Sequence, residues 1–238
     1  MQNKESHRGK RFFFRGSSFF LKRQVTSHAP PHPLSASCVL CGTPVPAEEP
    51  RLCTDCLRRT AEWDGFRLPL SGSCACIAAA RYSDTAGTVR AFKFQGHREY
   101  ARTLAWMMAR AWARQGAPAA AAVSWVPVSP LRRFVRGYDQ SRLLAQALGE
   151  QLGLPVYPVL RKRRHTPKQS RIADAEKRAK NVRDAYTALE PGAGRHILLT
   201  DDVVTTGATL REAAGTLERA GWRCTAICFA ATPEKLKT

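Results

Sequence analysis

The 238-residue sequence has no apolar run long enough to cross a membrane. Its first residues also lack the apolar segment and cleavage pattern of a signal peptide. These absences argue against a membrane-spanning protein and predict a cytoplasmic location. Because disulfide bonds are rare in the cytoplasm, the eight cysteines indicate a metal site or buried thiols.

Acidic residues are scarce: 19 Asp and Glu stand against 38 Lys and Arg, which gives a formal net charge of +19. Such a charge predicts attraction to nucleic acid, and a polyanionic small ligand would account for part of it. The basic residues concentrate in segments 1–37 and 161–183. Residues 1–37 have no hydrophobic periodicity and include a proline-rich stretch, so we predict a disordered basic tail there, with a nucleic-acid-binding arm as the alternative.

Four cysteines follow the tail in the pattern Cys-x2-Cys-x11-Cys-x2-Cys: Cys38, Cys41, Cys53 and Cys56. Two such pairs can surround Zn²⁺ tetrahedrally with all four positions filled, which predicts a structural zinc ribbon over residues 38–76. A redox-active pair is the weaker alternative, because neither motif opens a helix in a βαβ unit. Cys74 and Cys76 are poor evidence for a second metal, and Cys224 and Cys228 are expected to be buried thiols of a late strand.

A strand, a loop and a helix are predicted from Arg195 onwards. Ile197–Leu199 is typical of a buried parallel strand, Asp201 and Asp202 follow it, and a helical pattern runs from Leu210 to Ala220. Backbone N–H groups and threonine hydroxyls of the small-residue loop can surround a phosphate. Carboxylates repel phosphate but accept hydrogen bonds from sugar hydroxyls, so the pattern indicates a sugar-phosphate ligand. An ordinary capped βα turn is the alternative.

This stretch resembles the phosphoribosyl-pyrophosphate (PRPP) signature of type I phosphoribosyltransferases. The resemblance implies that Asp201 and Asp202 hold the ribose hydroxyls. It also implies a 5′-phosphate loop made of Thr205, Thr206, Gly207, Ala208 and Thr209. The usual nucleoside-triphosphate loop is excluded, because no Gly-Lys-Ser/Thr follows.

Two basic segments are expected near the same ligand. Arg132, Arg133 and Arg136 follow the predicted strand Ala122–Val128, and ligands of open α/β sheets bind outside the carboxyl ends of the strands. Residues 161–183 suit either a solvated loop or a mobile cationic lid over an anion, and composition alone leaves both open.

Taken together, the segments from about residue 37 to 231 resemble the ComF family, also called competence protein F. The mid-chain motif of that family is matched at Pro127, Arg132, Arg136, Gly137 and Gln140. Its lid motif is matched at Thr166, Gln169, Arg178, Asn181, Val182, Ala185 and Tyr186. Ser129 and Asp139 depart from the pattern, which favours His and Asn there. The resemblance implies an α/β fold with a parallel-sheet, Rossmann-like type I phosphoribosyltransferase core over 77–238, preceded by the small N-terminal zinc ribbon with its four cysteines.

The resemblance also implies a function. The protein would bind PRPP or a related ribose-phosphate with Mg²⁺ and transfer the phosphoribosyl group to an unidentified base or amine, in connection with DNA uptake. The implied catalytic residues are Asp201, Asp202, Arg132 and Arg136, with Lys168 and Arg171 contributed by the lid. Phosphoribosyltransferases are commonly dimers, so a homodimer is expected. The alternative is a non-catalytic competence factor that binds single-stranded DNA or DNA-uptake proteins.

Overall fold

A computed structural model describes residues 36–72, 74–116, 118–163 and 184–235. The first of these residues form the short antiparallel pair β1 (Ala36–Ser37) and β2 (Pro44–Val45), followed by helix α1 (Thr54–Ala61). The four cysteines of the predicted ribbon lie in and between these elements.

Strands and helices alternate along the rest of the chain. In chain order they are β3 (Phe66–Ser71), β4 (Cys74–Arg81), α2 (Tyr82–Phe94), α3 (Tyr100–Arg114), β5 (Ala122–Trp125), α4 (Pro130–Arg136), α5 (Gln140–Leu152), β6 (Leu160–Lys162), β7 (Tyr186–Ala188), β8 (His196–Val204), α6 (Ala208–Arg219), β9 (Arg223–Ala231) and a 3-10 turn at Pro233–Lys235. None of the helices in the described ranges is both long and apolar enough to span a bilayer.

The central sheet has five strands in the order β3-β4-β9-β8-β5. Strands β4, β9, β8 and β5 are parallel to one another, whereas β3 pairs antiparallel with β4 at the edge. Strands β6 and β7 form a separate antiparallel pair. The predicted α/β architecture with a parallel-sheet core is therefore confirmed.

Helices cover both faces of the sheet. Helices α2, α3 and α5 bury Phe92, Leu104 and Leu144 against one face, together with residues of the ribbon. Helix α6 buries Leu210 and Leu217 against the other. Because both faces are covered, the inner strands are apolar without alternation, which is the pattern by which the sequence predicted a buried parallel strand.

Strand β8 extends further than the sequence suggested. The predicted core Ile197–Leu199 is fully buried, but backbone pairing with β9 continues to Val204, opposite Ala231. Asp201 and Asp202 are therefore the last part of a strand rather than the start of a loop. Their backbone positions are fixed by the sheet.

The cysteines outside the ribbon belong to the sheet. Strand β4 contains Cys74 and Cys76 and runs across residue 76, where we predicted the ribbon to end. Cys76 Sγ lies 3.6 Å from Cys228 Sγ, and Cys224 is also buried. The buried-thiol interpretation of Cys224 and Cys228 is confirmed. Cys74 and Cys76 likewise pack in this core.

Two predicted features lie largely outside the described residues. Only residues 36 and 37 of the predicted basic tail are described, and they form β1. The predicted lid begins in β6, but residues 164–183, which include Lys168 and Arg171, are outside the described ranges.

Candidate functional site

Two adjacent carboxylates lie at the carboxyl end of β8. The Ser141 hydroxyl donates a 2.8 Å hydrogen bond to Asp201 Oδ1, and the Asp202 backbone N–H donates to the same oxygen at 2.9 Å. Lys93 Nζ lies 2.8 Å from Asp202 Oδ1. Helices α5 and α2 therefore each supply one polar partner to the pair.

Burial and mutual repulsion change the acidity of this pair. Burial raises the pKa of Asp201 to about 7, and the negative charge of Asp202 adds to the effect. Lys93 and the hydrogen bond from Ser141 act in the opposite direction. Since the two carboxylates concentrate negative charge at one place, the pair is suited to a ligand that donates hydrogen bonds or carries positive charge.

The loop after β8 forms an anion-binding geometry. Gly207 has φ 73°, and helix α6 begins directly after it. The loop and first helical turn line a hollow of about 40 Å³ formed by Asp201 and residues 203–210. The Thr206 hydroxyl is buried there without a hydrogen-bond partner among the described residues. The first N–H groups of a helix have no partner within the helix, so the hollow suits a phosphate group.

The predicted end of this helix is also observed. Ala220 is the C-cap residue of α6, and Gly221 follows it with φ 81°. The Gly221 N–H donates to the Glu218 carbonyl, and the Trp222 N–H donates to the Leu217 carbonyl. This is a Schellman motif, in which Gly221 is the left-handed residue that ends the helix.

Carboxylates, hydroxyls and cations meet in one cleft of about 470 Å³ at the carboxyl ends of the parallel strands. The charged and hydroxyl-bearing lining residues are Tyr82, Lys93, Arg136, Ser141, Lys162, Tyr186, Asp201, Asp202, Thr205, Thr209, Thr232 and Lys235. The cleft adjoins the loop hollow through Asp201, Thr205 and Thr209. The predicted acids and phosphate loop therefore share one site.

The second predicted loop reaches this cleft through Arg136. Its guanidinium donates to Gln140 Oε1 at 2.9 Å and lies 5.0 Å over the Phe94 ring. Arg132 lies in α4. Asp139 caps α5, because its carboxylate accepts from the Arg142 N–H at 3.2 Å and from the Val128 N–H at 3.4 Å.

Sequence reasoning missed Lys93 and Ser141. Ser141 directly follows Gln140, a matched motif position, so its place beside the motif was a usable signal. Lys93 lies on α2, more than a hundred positions before the aspartates, and no local pattern marks it. Only the packing of α2 against the sheet brings its side chain to Asp202.

The ribbon cysteines form a second candidate site. The four Sγ atoms of Cys38, Cys41, Cys53 and Cys56 lie within 4.8 Å of one another. Tetrahedral Zn²⁺ with bonds of about 2.3 Å places sulfur atoms about 3.8 Å apart, so the quartet fits this ion. Gly42, with φ 80°, makes the turn after the first pair, and Cys53 caps α1.

The ribbon is joined to the helix layer by hydrogen bonds. The Thr88 hydroxyl of α2 donates to the Val39 carbonyl at 2.7 Å. The Arg51 N–H donates to the Thr103 hydroxyl of α3 at 3.0 Å. Because Cys38 and Cys56 are buried in the same core as these helices, order in the ribbon is coupled to order in α2 and α3.

The comparisons with known proteins show that the chain contains a phosphoribosyltransferase-type domain. A family model described as "Phosphoribosyl transferase domain" matches residues 139–237, which include β8, its loop and α6. Among solved structures, the chain is similar to adenine phosphoribosyltransferase from Leishmania donovani, with 11% identity, 72% of this chain and 89% of that chain covered, and a TM-score of 0.39.

Two curated relatives cover most of the chain. It is 31% identical to "DNA utilization protein YhgH" of Salmonella typhi over 77% of this chain and 78% of the relative. It is 28% identical to "Competence protein F" of Haemophilus influenzae over 71% of this chain and 73% of the relative. The chain belongs to the ComF family, as its motifs indicated.

The ribbon geometry predicts a structural zinc ion. We expect elemental analysis of the purified protein to find about one zinc per chain, and we expect a chelator to lower the melting temperature because the sulfur quartet loses its central ion. Cys53→Ser should lose both zinc and thermal stability.

Cys76→Ala is the matched control, because it removes a buried thiol that is not part of the quartet. It should keep its zinc and lose only packing energy. A metal-free wild-type protein with an unchanged melting temperature would contradict the zinc assignment.

Proposed function

We propose that the chain binds PRPP or a closely related ribose-phosphate with Mg²⁺. The observation that carries the proposal is the shared cleft, in which Asp201 and Asp202 lie next to the hollow at the N-terminus of α6. A ligand for this cleft must present hydrogen-bond donors to the carboxylates and an anion to the loop. A ribose 5-phosphate group satisfies both demands within one small molecule.

The remaining cations suit the pyrophosphate end of such a ligand. Arg136 and Lys162 line the same cleft, and a guanidinium binds phosphate oxygens through paired hydrogen bonds. Arg132 lies in the same helix as Arg136 and is proposed to assist. When bound with the ligand, Mg²⁺ would neutralise pyrophosphate charge.

Transfer of the phosphoribosyl group is the reaction that this arrangement supports. The bond between ribose C1 and the pyrophosphate oxygen breaks, its electron pair leaves with the pyrophosphate, and a nitrogen lone pair of the acceptor forms the new bond to C1. Asp201 and Asp202 fix the ribose hydroxyls while C1 gains positive charge. Arg136 stabilises the departing anion. We assign Lys168 and Arg171, which lie outside the described residues, to water exclusion over this site.

Calorimetric titration of Mg²⁺–PRPP tests this proposal. We expect saturable binding to the wild-type protein and a loss of at least about a hundredfold in Asp201→Asn/Asp202→Asn, because each amide weakens a charge-assisted hydrogen bond to a ribose hydroxyl. Asp184→Asn is the control, since Asp184 is an exposed carboxylate that does not line the cleft. Equal affinity in the wild type and the double variant would refute the assignment.

A second candidate function, binding of single-stranded DNA, is favoured by an exposed surface formed by α4 and the last residue of α2. Phe134 is 87% exposed and Phe94 is 62% exposed. Arg133 and Arg142 line a groove of about 920 Å³ beside Phe134. Exposed aromatic rings among cations suit stacked bases and a phosphate backbone. The net charge of +19 and the names of the relatives point in the same direction.

Fluorescence anisotropy with a labelled oligothymidine tests this candidate. Phe134→Ala should weaken binding about fivefold or more, because one stacking platform is lost, whereas Phe134→Trp should retain it. Wild-type affinity should fall steeply as salt is raised. If Phe134→Ala binds as tightly as the wild type at every salt concentration, this surface is not the binding site.

A further inference from the structure

Lys93 is a cation of the cleft that no motif of the chain identifies. We propose that Lys93 is a positioning residue that fixes Asp202, through an ion pair to Oδ1, as an acceptor for a ribose hydroxyl. This inference rests on the proposed function. Lys93 Nζ lies 2.8 Å from Asp202 Oδ1, with the two side chains 20% and 11% exposed. The contact is therefore shielded from much of the solvent that weakens surface ion pairs.

Packing fixes the helix that carries this lysine. The Thr88 hydroxyl ties α2 to the ribbon through the Val39 carbonyl. About one turn further along the helix, the Tyr138 hydroxyl donates to the Phe92 carbonyl, and the Phe92 side chain is fully buried. The backbone next to Lys93 is thus held from two sides. Its ammonium group reaches Asp202 from a rigid element rather than from a loop.

The hydrogen bonds leave one oxygen of each carboxylate for a ligand. Ser141 and the Asp202 N–H both donate to Asp201 Oδ1, and Lys93 contacts Asp202 Oδ1. Among the described residues, no hydrogen bond or ion pair to Oδ2 of either aspartate is found. An acceptor with one oxygen anchored and the other open is oriented before the ligand arrives, which reduces the entropy lost on binding.

The charges around the pair make Lys93 the principal counter-charge. Asp139, at the start of α5, adds negative charge near Asp202. The other titratable groups lining the cleft are Arg136 of α4, Lys162 of β6, Tyr186 of β7, Tyr82 of α2 and Lys235 of the 3-10 turn. Among the described residues, however, Lys93 makes the one ion pair to either aspartate. Because the positive charge of Lys93 lowers the pKa of Asp201, removal of Lys93 should raise that pKa further.

The pH dependence of Mg²⁺–PRPP binding separates positioning from a merely structural effect. Ionised carboxylates accept hydrogen bonds better, so wild-type affinity should rise as the pH increases through about 7, the pKa of Asp201. In Lys93→Met the midpoint of this rise should move up by about one pH unit, which corresponds to an affinity about fivefold lower at pH 7 and about tenfold lower well below that pH. The difference from the wild type should narrow near pH 9.

Two variants serve as controls. Lys93→Arg keeps the charge and should keep a midpoint close to that of the wild type. Arg90→Met removes a charge from the exposed side of the same helix and should leave both midpoint and affinity unchanged. Circular dichroism of each variant establishes that α2 and the rest of the fold are retained.

The outcomes distinguish this inference from the proposed function. If the wild type binds Mg²⁺–PRPP and folded Lys93→Met binds it with an unshifted pH midpoint, the role of Lys93 is overturned while the proposed function stands. A loss of Mg²⁺–PRPP affinity by the same factor at every pH in Lys93→Met also overturns this role, because a structural defect gives that result. If the wild type binds no Mg²⁺–PRPP at any pH, the proposed function and this inference fall together.

Discussion

Two adjacent carboxylates at the end of a buried parallel strand are the constraint on which the rest of the site depends. Burial and mutual repulsion raise the pKa of Asp201 from 3.8 to about 7. Because the folded state then binds a proton more tightly than the unfolded chain, this group lowers stability as pH rises from about 4 to about 7. An ionised Asp201 at this buried position therefore reduces the stability of the folded protein. Lys93 and Ser141 reduce that cost from the two flanking helices.

The surrounding elements follow from this arrangement. Strand pairing up to Val204 keeps both aspartates on a fixed backbone, and the chain must then turn at once into α6. Gly207 makes that turn with a left-handed backbone, which brings the N-terminus of the helix beside the acids. A ligand carrying hydroxyls and a phosphate is therefore favoured over a simple anion. The four-cysteine ribbon contributes indirectly, since it packs on the helix that carries Lys93.

Features of the site that depend on residues close together in the sequence could be predicted. Those that depend on packing between residues far apart in the sequence could not. The apolar strand, the turn at Gly207, the cap at Asp139 and the helix end at Gly221 each have a local chemical cause, and all are present. The length of β8 was underestimated because polar residues at a strand end can still pair with a neighbouring strand. Lys93 gave no signal, because only the three-dimensional packing of α2 relates it to Asp202.

The cysteines also differ in how far the sequence predicts their contacts. The spacing of the first four cysteines predicts a quartet, and the structure brings their sulfur atoms together. Cys74 and Cys76 follow them closely in sequence, yet they lie in β4 beside the cysteines of β9. Their partner is a strand about 150 positions further along the chain, which no short spacing rule can reveal.

A crystal structure of the protein with Mg²⁺ and PRPP would test the central claim most directly. We expect ribose hydroxyls within hydrogen-bond distance of Asp201 and Asp202 and the 5′-phosphate in the loop of residues 205–209. We also expect Lys93 to contact Asp202 in the complex. A ligand bound with its ribose away from the two aspartates, or a phosphate bound at another surface with this loop empty, would contradict the claim.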